Sequence, residues 1–319
     1  MDRITPDYER LYRSLYRIRR VEEEIARVYS SDKIKSPVHL SIGQEAVSVA
    51  VCEALQRRDV AFGTYRGHAL YLAKGGDLNR MIAELYGKAN GCANGKGGSM
   101  HLIDTDVGFM GTSAVVGTTI ANAVGYAYAL ACRREDRVVA SFFGDGATEE
   151  GVFHESLNFA ALKRLPIVFI CENNGYAIHT RQSRRQARAN IAERAAAYGM
   201  PAETIADNDL LAIHQRVAAA VGALRAGRPG PYFFECHTYR WKEHVGPDDD
   251  YGLGYRTADE LRPWVENDQV PRLAALVDNA RRRQIEFDVE AEIITAFAFA
   301  EGGPWPAEEE LYTDVFQGV

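Results

Sequence analysis

Two apolar runs, each ending in a small polar signature, constrain this chain more than anything else in it. Arg137-Val138-Val139-Ala140-Ser141-Phe142-Phe143 leads into Gly144-Asp145-Gly146, and Pro166-Ile167-Val168-Phe169-Ile170-Cys171 leads to Asn173-Asn174. Runs of this composition read as buried strands, and residues 147–172 leave room for a helical crossover between them. Parallel strands joined in this way bring Asp145 and Asn174 to one end of a sheet. A carboxylate and an amide oxygen placed there suit a hard cation that also takes phosphate oxygens. Gly144 and Gly146 let the backbone turn sharply and approach a ligand. A helix opened by Thr148 and Glu149, running to about Lys163, would aim free N–H groups at an anion. The two signatures therefore predict a metal-diphosphate site, with Asp145, Asn174 and the carbonyl of Tyr176 as the protein's metal ligands. Either signature alone is a common turn. Together, bounding a β-α-β unit, they are specific.

With 319 residues and 46% hydrophobic content, the chain can bury the core of a globular enzyme. A net charge of −7 argues against a general nucleic-acid binder. No apolar run reaches the roughly 18 residues of a membrane helix, and Met1-Asp2-Arg3-Ile4-Thr5-Pro6 lacks a signal peptide's apolar stretch. The five cysteines are dispersed with no Cys-x-x-Cys, which fits reduced thiols in a cytoplasmic protein.

Apolar residues at helical spacing, Leu11, Leu15, Ile18, Val21, Ile25 and Val28, predict an amphipathic helix over 7–29 whose Arg- and Glu-rich face is solvated. A second helix is expected over Gly43 to Leu55. Residues 75–118 are glycine-rich and read as a long irregular, functional stretch. The small-residue run 119–132 reads as a tightly packed core helix, 207–226 as another helix and 231–239 as a strand. Residues 242–256 have the composition of a gating loop. Arg181, Arg184, Arg185 and Arg188 have helical spacing and could share one face. Strands alternating with helices indicate an α/β fold with a largely parallel sheet.

Further motifs accompany the two signatures: His39-Leu40-Ser41-Ile42-Gly43-Gln44-Glu45-Ala46, Tyr65-Arg66-Gly67-His68, Gly95-Lys96-Gly97-Gly98-Ser99-Met100-His101, Asn173-Asn174-Gly175-Tyr176-Ala177-Ile178 and Thr238-Tyr239-Arg240. With them the chain resembles the alpha subunit of the thiamine-diphosphate-dependent, decarboxylating first component of 2-oxo acid and acetoin dehydrogenase complexes. The resemblance runs from about Tyr8 to Glu310-Leu311-Tyr312-Thr313-Asp314-Val315. It implies the thiamine-diphosphate-binding fold, a mostly parallel sheet with helices on both faces. The whole of 1–319 would be one diphosphate-binding domain, with a helical extension over about 1–35 and a helical tail over about 257–319.

The resemblance also assigns roles. Tyr65 and Arg66 would bind the diphosphate, since a guanidinium is a fixed fork for phosphate oxygens. His39 would lie near diphosphate and substrate. His244, on the 242–256 loop, would cover the thiazolium ring and assist acyl transfer, so His39 and His244 are the candidate catalytic residues. Val116 would wedge beneath the bent cofactor, with Ala114 lining the same pocket. Gly146 and Ala147 complete the cofactor set, and Mg2+ would bridge protein and phosphate. The role of Ser99 and His101 stays open between a channel and a structural turn.

The implied activity is oxidative: a C2-acyl or enamine adduct forms on the cofactor, and the acyl group passes to a lipoyl-bearing acyltransferase. A beta subunit would carry the pyrimidine-binding domain and the catalytic glutamate, giving a cytoplasmic heterotetramer that engages neither nucleic acid nor membrane. The residue after the loop histidine is Val245, which has no hydroxyl to phosphorylate, and the usual His-Ser-x-x-Asp pattern is absent. Two other readings stand beside this one. The chain could serve a thiamine-diphosphate-dependent acyl or ketol transferase of a specialised pathway, or be a cofactor-free silent subunit.

Overall fold

Among the described residues seven strands follow one another: β1 (Val60–Phe62), β2 (Val139–Gly144), β3 (Ile167–Asn173), β4 (Tyr176–Ala177), β5 (Thr180–Arg181), β6 (Ala202–Ile205) and β7 (Tyr232–His237). The structure is a computed structural model and describes residues 7–313. The first six residues of the expected N-terminal extension, the last six of the expected tail and the Asp314-Val315 end of the matched segment lie outside the described residues.

Among the described residues, five strands form one all-parallel sheet in the order β1-β2-β3-β7-β6. Alternate residues of each strand face opposite sides of a sheet, and both sides here are buried. Ala140, Phe142, Val168 and Ile170 point into one core, and Val139, Phe143, Ile167 and Phe169 into the other. A parallel sheet covered on both faces needs near-continuous apolar strands, and this is what the runs at 138–143 and 167–171 supply. Each fully buried Phe or Ile contributes about 1.5–3 kcal/mol.

The first core is roofed by α1 (Tyr8–Tyr29), α2 (Glu45–Ala54), α3 (His68–Ala73), α4 (Leu78–Leu85), α8 (Leu210–Arg225) and α11 (Asn279–Gly302). The second lies under α5 (Thr118–Arg133), α6 (Gly151–Lys163) and α7 (Ile191–Ala196). Two further helices, α9 (Ala258–Glu266) and α10 (Gln269–Ala274), precede α11. Asp7 caps α1 by accepting from Arg10 N at 3.0 Å. No helix among the described residues is long and apolar enough to cross a membrane.

Several local expectations need correction. The charged face of α1 is not simply solvated: Arg19 and Glu22 are buried, Arg19 pairing with Glu45 and Asp268 and Glu22 with His68. The stretch 75–118 contains α4, whose Leu78, Met81, Ile82 and Leu85 pack inward. α5 is not enclosed. Ile120, Ala123, Val124, Ala127 and Leu130 meet the sheet, while Ala121, Gly125, Tyr128, Ala129 and Cys132 face outward, because one helical stripe is all that a sheet can cover. Thr148 and Glu149 belong to a 3-10 turn over Asp145–Glu149, and α6 begins only at Gly151.

Candidate functional site

The carboxyl ends of β1, β2, β3 and β7 release Thr64-Tyr65-Arg66, Asp145, Asn174 and Arg240 at the same edge of the sheet. β2 and β3 are in register with Gly144 opposite Glu172, so Asp145 and the Asn173-Asn174 turn leave side by side. Open parallel sheets bind ligands at this edge. A cavity of about 250 Å³ lies there, lined by residues from all four strand ends and from the start of α5. The amino ends of α5 and α6 flank it, and neither has a side-chain cap, so both offer free N–H groups to an anion.

Asp145 is 1% exposed. Its Oδ2 pairs with Arg185, and its Oδ1 is buried with no hydrogen-bond partner. Burial pushes its carboxyl above the ordinary value and the guanidinium of Arg185 pulls against that. Asn174 Nδ2 donates to Gln44 Oε1 at 2.9 Å, and Asn174 Oδ1 accepts from Tyr176 N at 3.1 Å. This network fixes which way the amide points, and a carbonyl oxygen that accepts one bond keeps a second lone pair. An unpaired carboxylate oxygen and a half-used amide oxygen, both at this edge, fit a hard cation. Among the described residues no cluster of three or more His, Cys, Asp or Glu could hold a metal alone. An ion here would draw its remaining ligands from carbonyls, water and phosphate oxygens.

Two glycines allow the close approach. A Cβ on Gly146 would lie 2.8 Å from the Cβ of Ala177, so only glycine lets the Asp145 turn meet the Tyr176 loop. Gly43 has φ +94, and a Cβ there would come within 2.4 Å of the Tyr239 carbonyl. That contact sets Gln44 beside Asn174.

On the opposite wall, Arg66 is buried. It donates from Nη1 to the Leu40 carbonyl at 2.6 Å and from Nη2 to the His244 carbonyl at 3.2 Å. Burial pulls its pKa down to about 10, so it stays charged at neutral pH. The rings of His39, Tyr65 and His244 form a cluster: His39 lies 4.5 Å from Tyr65 and 5.1 Å from His244. Burial first, and the charge of Arg66 second, bring both histidines down to about 3. Both are neutral imidazoles at pH 7, and His39 Nδ1 is buried without a partner.

Of the residues expected from the sequence, Tyr65, Arg66, Val116, Asp145, Gly146, Ala147, Asn174, Tyr176 and His244 line the cavity. His39 stands behind Tyr65 and His244, and half-buried Ala114 sits beside the lining Ser113 and Val115. Ser99 and His101 do not line it. Ser99 Oγ instead lies 2.8 Å from His68 Nε2 in a buried chain with Glu22, and Glu84 gathers the backbone N–H groups of Ala93, Gly95, Gly97 and Gly98. The glycine-rich motif is thus tied into the core by these bonds.

The expected gating loop is tethered. Asp250 is 0% exposed and accepts from Arg240 Nη1 at 3.0 Å and Arg256 Nε at 2.6 Å, and Gly246 N donates to the Val38 carbonyl at 2.9 Å. A composition rich in Gly, Asp and Pro did not reveal that one of its aspartates is an internal counter-ion. The four arginines do not share a helical face either. Arg181 lies in β5 and pairs with Glu260, Arg185 turns inward to Asp145 and Glu149, and Arg184 and Arg188 are exposed.

Sequence reasoning missed Gln44, Glu172, Ile178 and Arg185. Glu172 lines the cavity, and burial lifts its carboxyl to about 7 against the pull of Arg66. Its position directly after the apolar run 166–171 and before the Asn pair was the available signal. Ile178 lines the mouth with φ +53, a conformation that strains a β-branched residue.

The family described as Dehydrogenase E1 component matches residues 13–309. The alpha subunit of acetoin:2,6-dichlorophenolindophenol oxidoreductase from Bacillus subtilis is 39% identical over 96% of this chain and 92% of its own length. The pyruvate dehydrogenase E1 component alpha subunit of Zymomonas mobilis is 38% identical over 96% of this chain and 88% of its own length. Its counterpart from Rhizobium meliloti is 36% identical over 95% and 88%.

Proposed function

The chain belongs to the Dehydrogenase E1 component family, and from that premise we propose that it is the alpha subunit of a thiamine-diphosphate-dependent 2-oxo acid or acetoin dehydrogenase. It acts with a beta subunit and hands an acyl group to a lipoyl-bearing acyltransferase in the cytoplasm. The observation that carries the reading is the buried, unpartnered Asp145 Oδ1 at the sheet edge that also bears Asn174, both residues lining a cavity flanked by two helix N-termini without side-chain caps.

In this reading Asp145, Asn174 and the Tyr176 carbonyl hold Mg2+, while Tyr65 and Arg66 hold the diphosphate. When bound, the cofactor supplies an electron sink for breaking the bond next to the substrate carbonyl. The chain's own residues do the rest. Val116, 44% exposed into the cavity, offers an apolar surface for the ring system to bend over, with Ala114 beside it. Gly146 and Ala147 bring backbone to the phosphates. His39 and His244, held neutral, place no charge beside the diphosphate, and each ring would donate a hydrogen bond from one nitrogen and accept one at the other.

A product assay on the chain assembled with its beta subunit tests the proposal. Pyruvate, branched 2-oxo acids and acetoin are supplied in turn, with a dye acceptor and then with a lipoyl domain. Turnover of one of these classes supports the reading. Turnover of none, together with ketol transfer to a sugar or carrier acceptor, points to the specialised transferase instead.

A further inference from the structure

The geometry points to Arg185 as a fixed counter-charge on Asp145 that makes divalent-ion binding depend on the diphosphate arriving with it. The inference rests on the metal-diphosphate reading above and adds a rule of loading to it.

Arg185 is held on every nitrogen of its fork. Nε donates to the Thr180 carbonyl at 3.0 Å, Nη1 pairs with Glu149 and Nη2 with Asp145 Oδ2, and the side chain is only 9% exposed. A guanidinium bound at three points is pre-organised. Asp145 is thus divided: one oxygen carries a permanent cation, and the other is buried and bare. The turn that bears it is braced as well. Gln186 Nε2 donates to the Asp145 carbonyl at 3.3 Å and to Glu149 Oε1 at 2.8 Å, and Arg194 Nη2 donates to Thr148 Oγ1 at 2.8 Å.

An ion approaching Oδ1 alone therefore meets a carboxylate already neutralised, with the positive charge of Arg185 on its far side. Charges this deep are weakly screened. Glu149, the other partner of Arg185, is 33% exposed and offsets that charge from the solvent side. Magnesium also surrenders its waters reluctantly. A diphosphate adds negative charge and oxygen ligands on the open side of the ion and removes the repulsion. Ion and diphosphate should then bind as a coupled pair, each tightening the other by the same factor.

The test titrates Mn2+ into the assembled alpha and beta chains, with and without thiamine diphosphate, and follows the electron paramagnetic resonance signal of free Mn2+. The wild-type protein should bind Mn2+ alone at least about tenfold more weakly than with the diphosphate. Arg185→Gln should bind Mn2+ alone about tenfold more tightly than wild type and lose most of the coupling. Arg185→Lys, which keeps the charge, should retain it. The inference is overturned if Arg185→Gln leaves Mn2+ affinity unchanged or lowers it, or if Arg185→Lys behaves like Arg185→Gln. Should Arg185→Gln fail to assemble, the wild-type titration decides, since equal affinity with and without diphosphate overturns the inference. Absence of Mn2+ binding under both conditions would instead sink the underlying cofactor reading.

Discussion

Arg66 donates to the carbonyl of His244 at 3.2 Å, so the residue proposed to grip the diphosphate also grips the loop that covers it. Replacing it with lysine keeps a charge but removes the fork that spans Leu40 and His244. Hydrogen bonds to charged groups are worth about 1.5–3 kcal/mol, so Arg66→Lys should weaken thiamine diphosphate binding roughly 10- to 100-fold. Calorimetry on the assembled enzyme measures this, and limited proteolysis should cut the 242–256 loop faster. Wild-type affinity in the variant would remove Arg66 from the site.

Asp250 neutralises two buried guanidiniums, Arg240 and Arg256. Removing one member of a buried ion pair costs about 3–5 kcal/mol. Asp250→Ala should lower the thermal midpoint by several degrees and release the loop to protease. A variant as stable as wild type would show that the loop is held elsewhere.

Glu172 is a buried acid whose folded pKa, about 7, is raised from 4.5. For an acid shifted upward, the stabilising contribution is complete below the unfolded value and is lost as pH rises through the folded one. Glu172→Gln should therefore stabilise the cofactor-free chain by about 2–3 kcal/mol at pH 8 and by little at pH 4. Unfolding curves at the two pH values check it, and an equal effect at both would contradict the assignment.

His39 and His244 are shifted the other way, from 6.5 to about 3. Their contribution is present above pH 6.5 and is lost as pH falls toward 3, because the unfolded chain takes up protons that the folded one refuses. The thermal midpoint of the cofactor-free chain should fall between pH 6.5 and 4.5. The fall should be shallower in His39→Asn, and an unchanged slope would mean that His39 does not titrate in this way.

The strand ends were legible because composition and the two short signatures act locally. Val138 to Phe143 and Ile167 to Cys171 can be stable only when covered on both faces, and that dictates the parallel sheet and its ligand-binding edge. The counter-ions were not legible. Arg185 and Glu172 take their roles from residues far away in the chain, while Asp250 pairs with the nearby Arg240 and Arg256 only because the loop folds back on itself, and nothing in a stretch of arginines says which one turns inward. Helical spacing misled at 181–188 because β5 and a 3-10 turn occupy that segment, and the bonds from Arg185 to Asp145 and Glu149 fix it there. At α4 the glycines on either side concealed a short amphipathic helix.

The central claim is that Asp145 and Asn174 clamp a divalent ion and its diphosphate at the sheet edge. Calorimetric titration of thiamine diphosphate into the alpha and beta chains, with and without Mg2+, tests it most directly. The account predicts saturable, Mg2+-dependent binding at one site per alpha chain in the wild type, abolished in Asp145→Ala and in Asn174→Ala. Binding that needs no divalent ion, or that survives loss of Asp145, would contradict it.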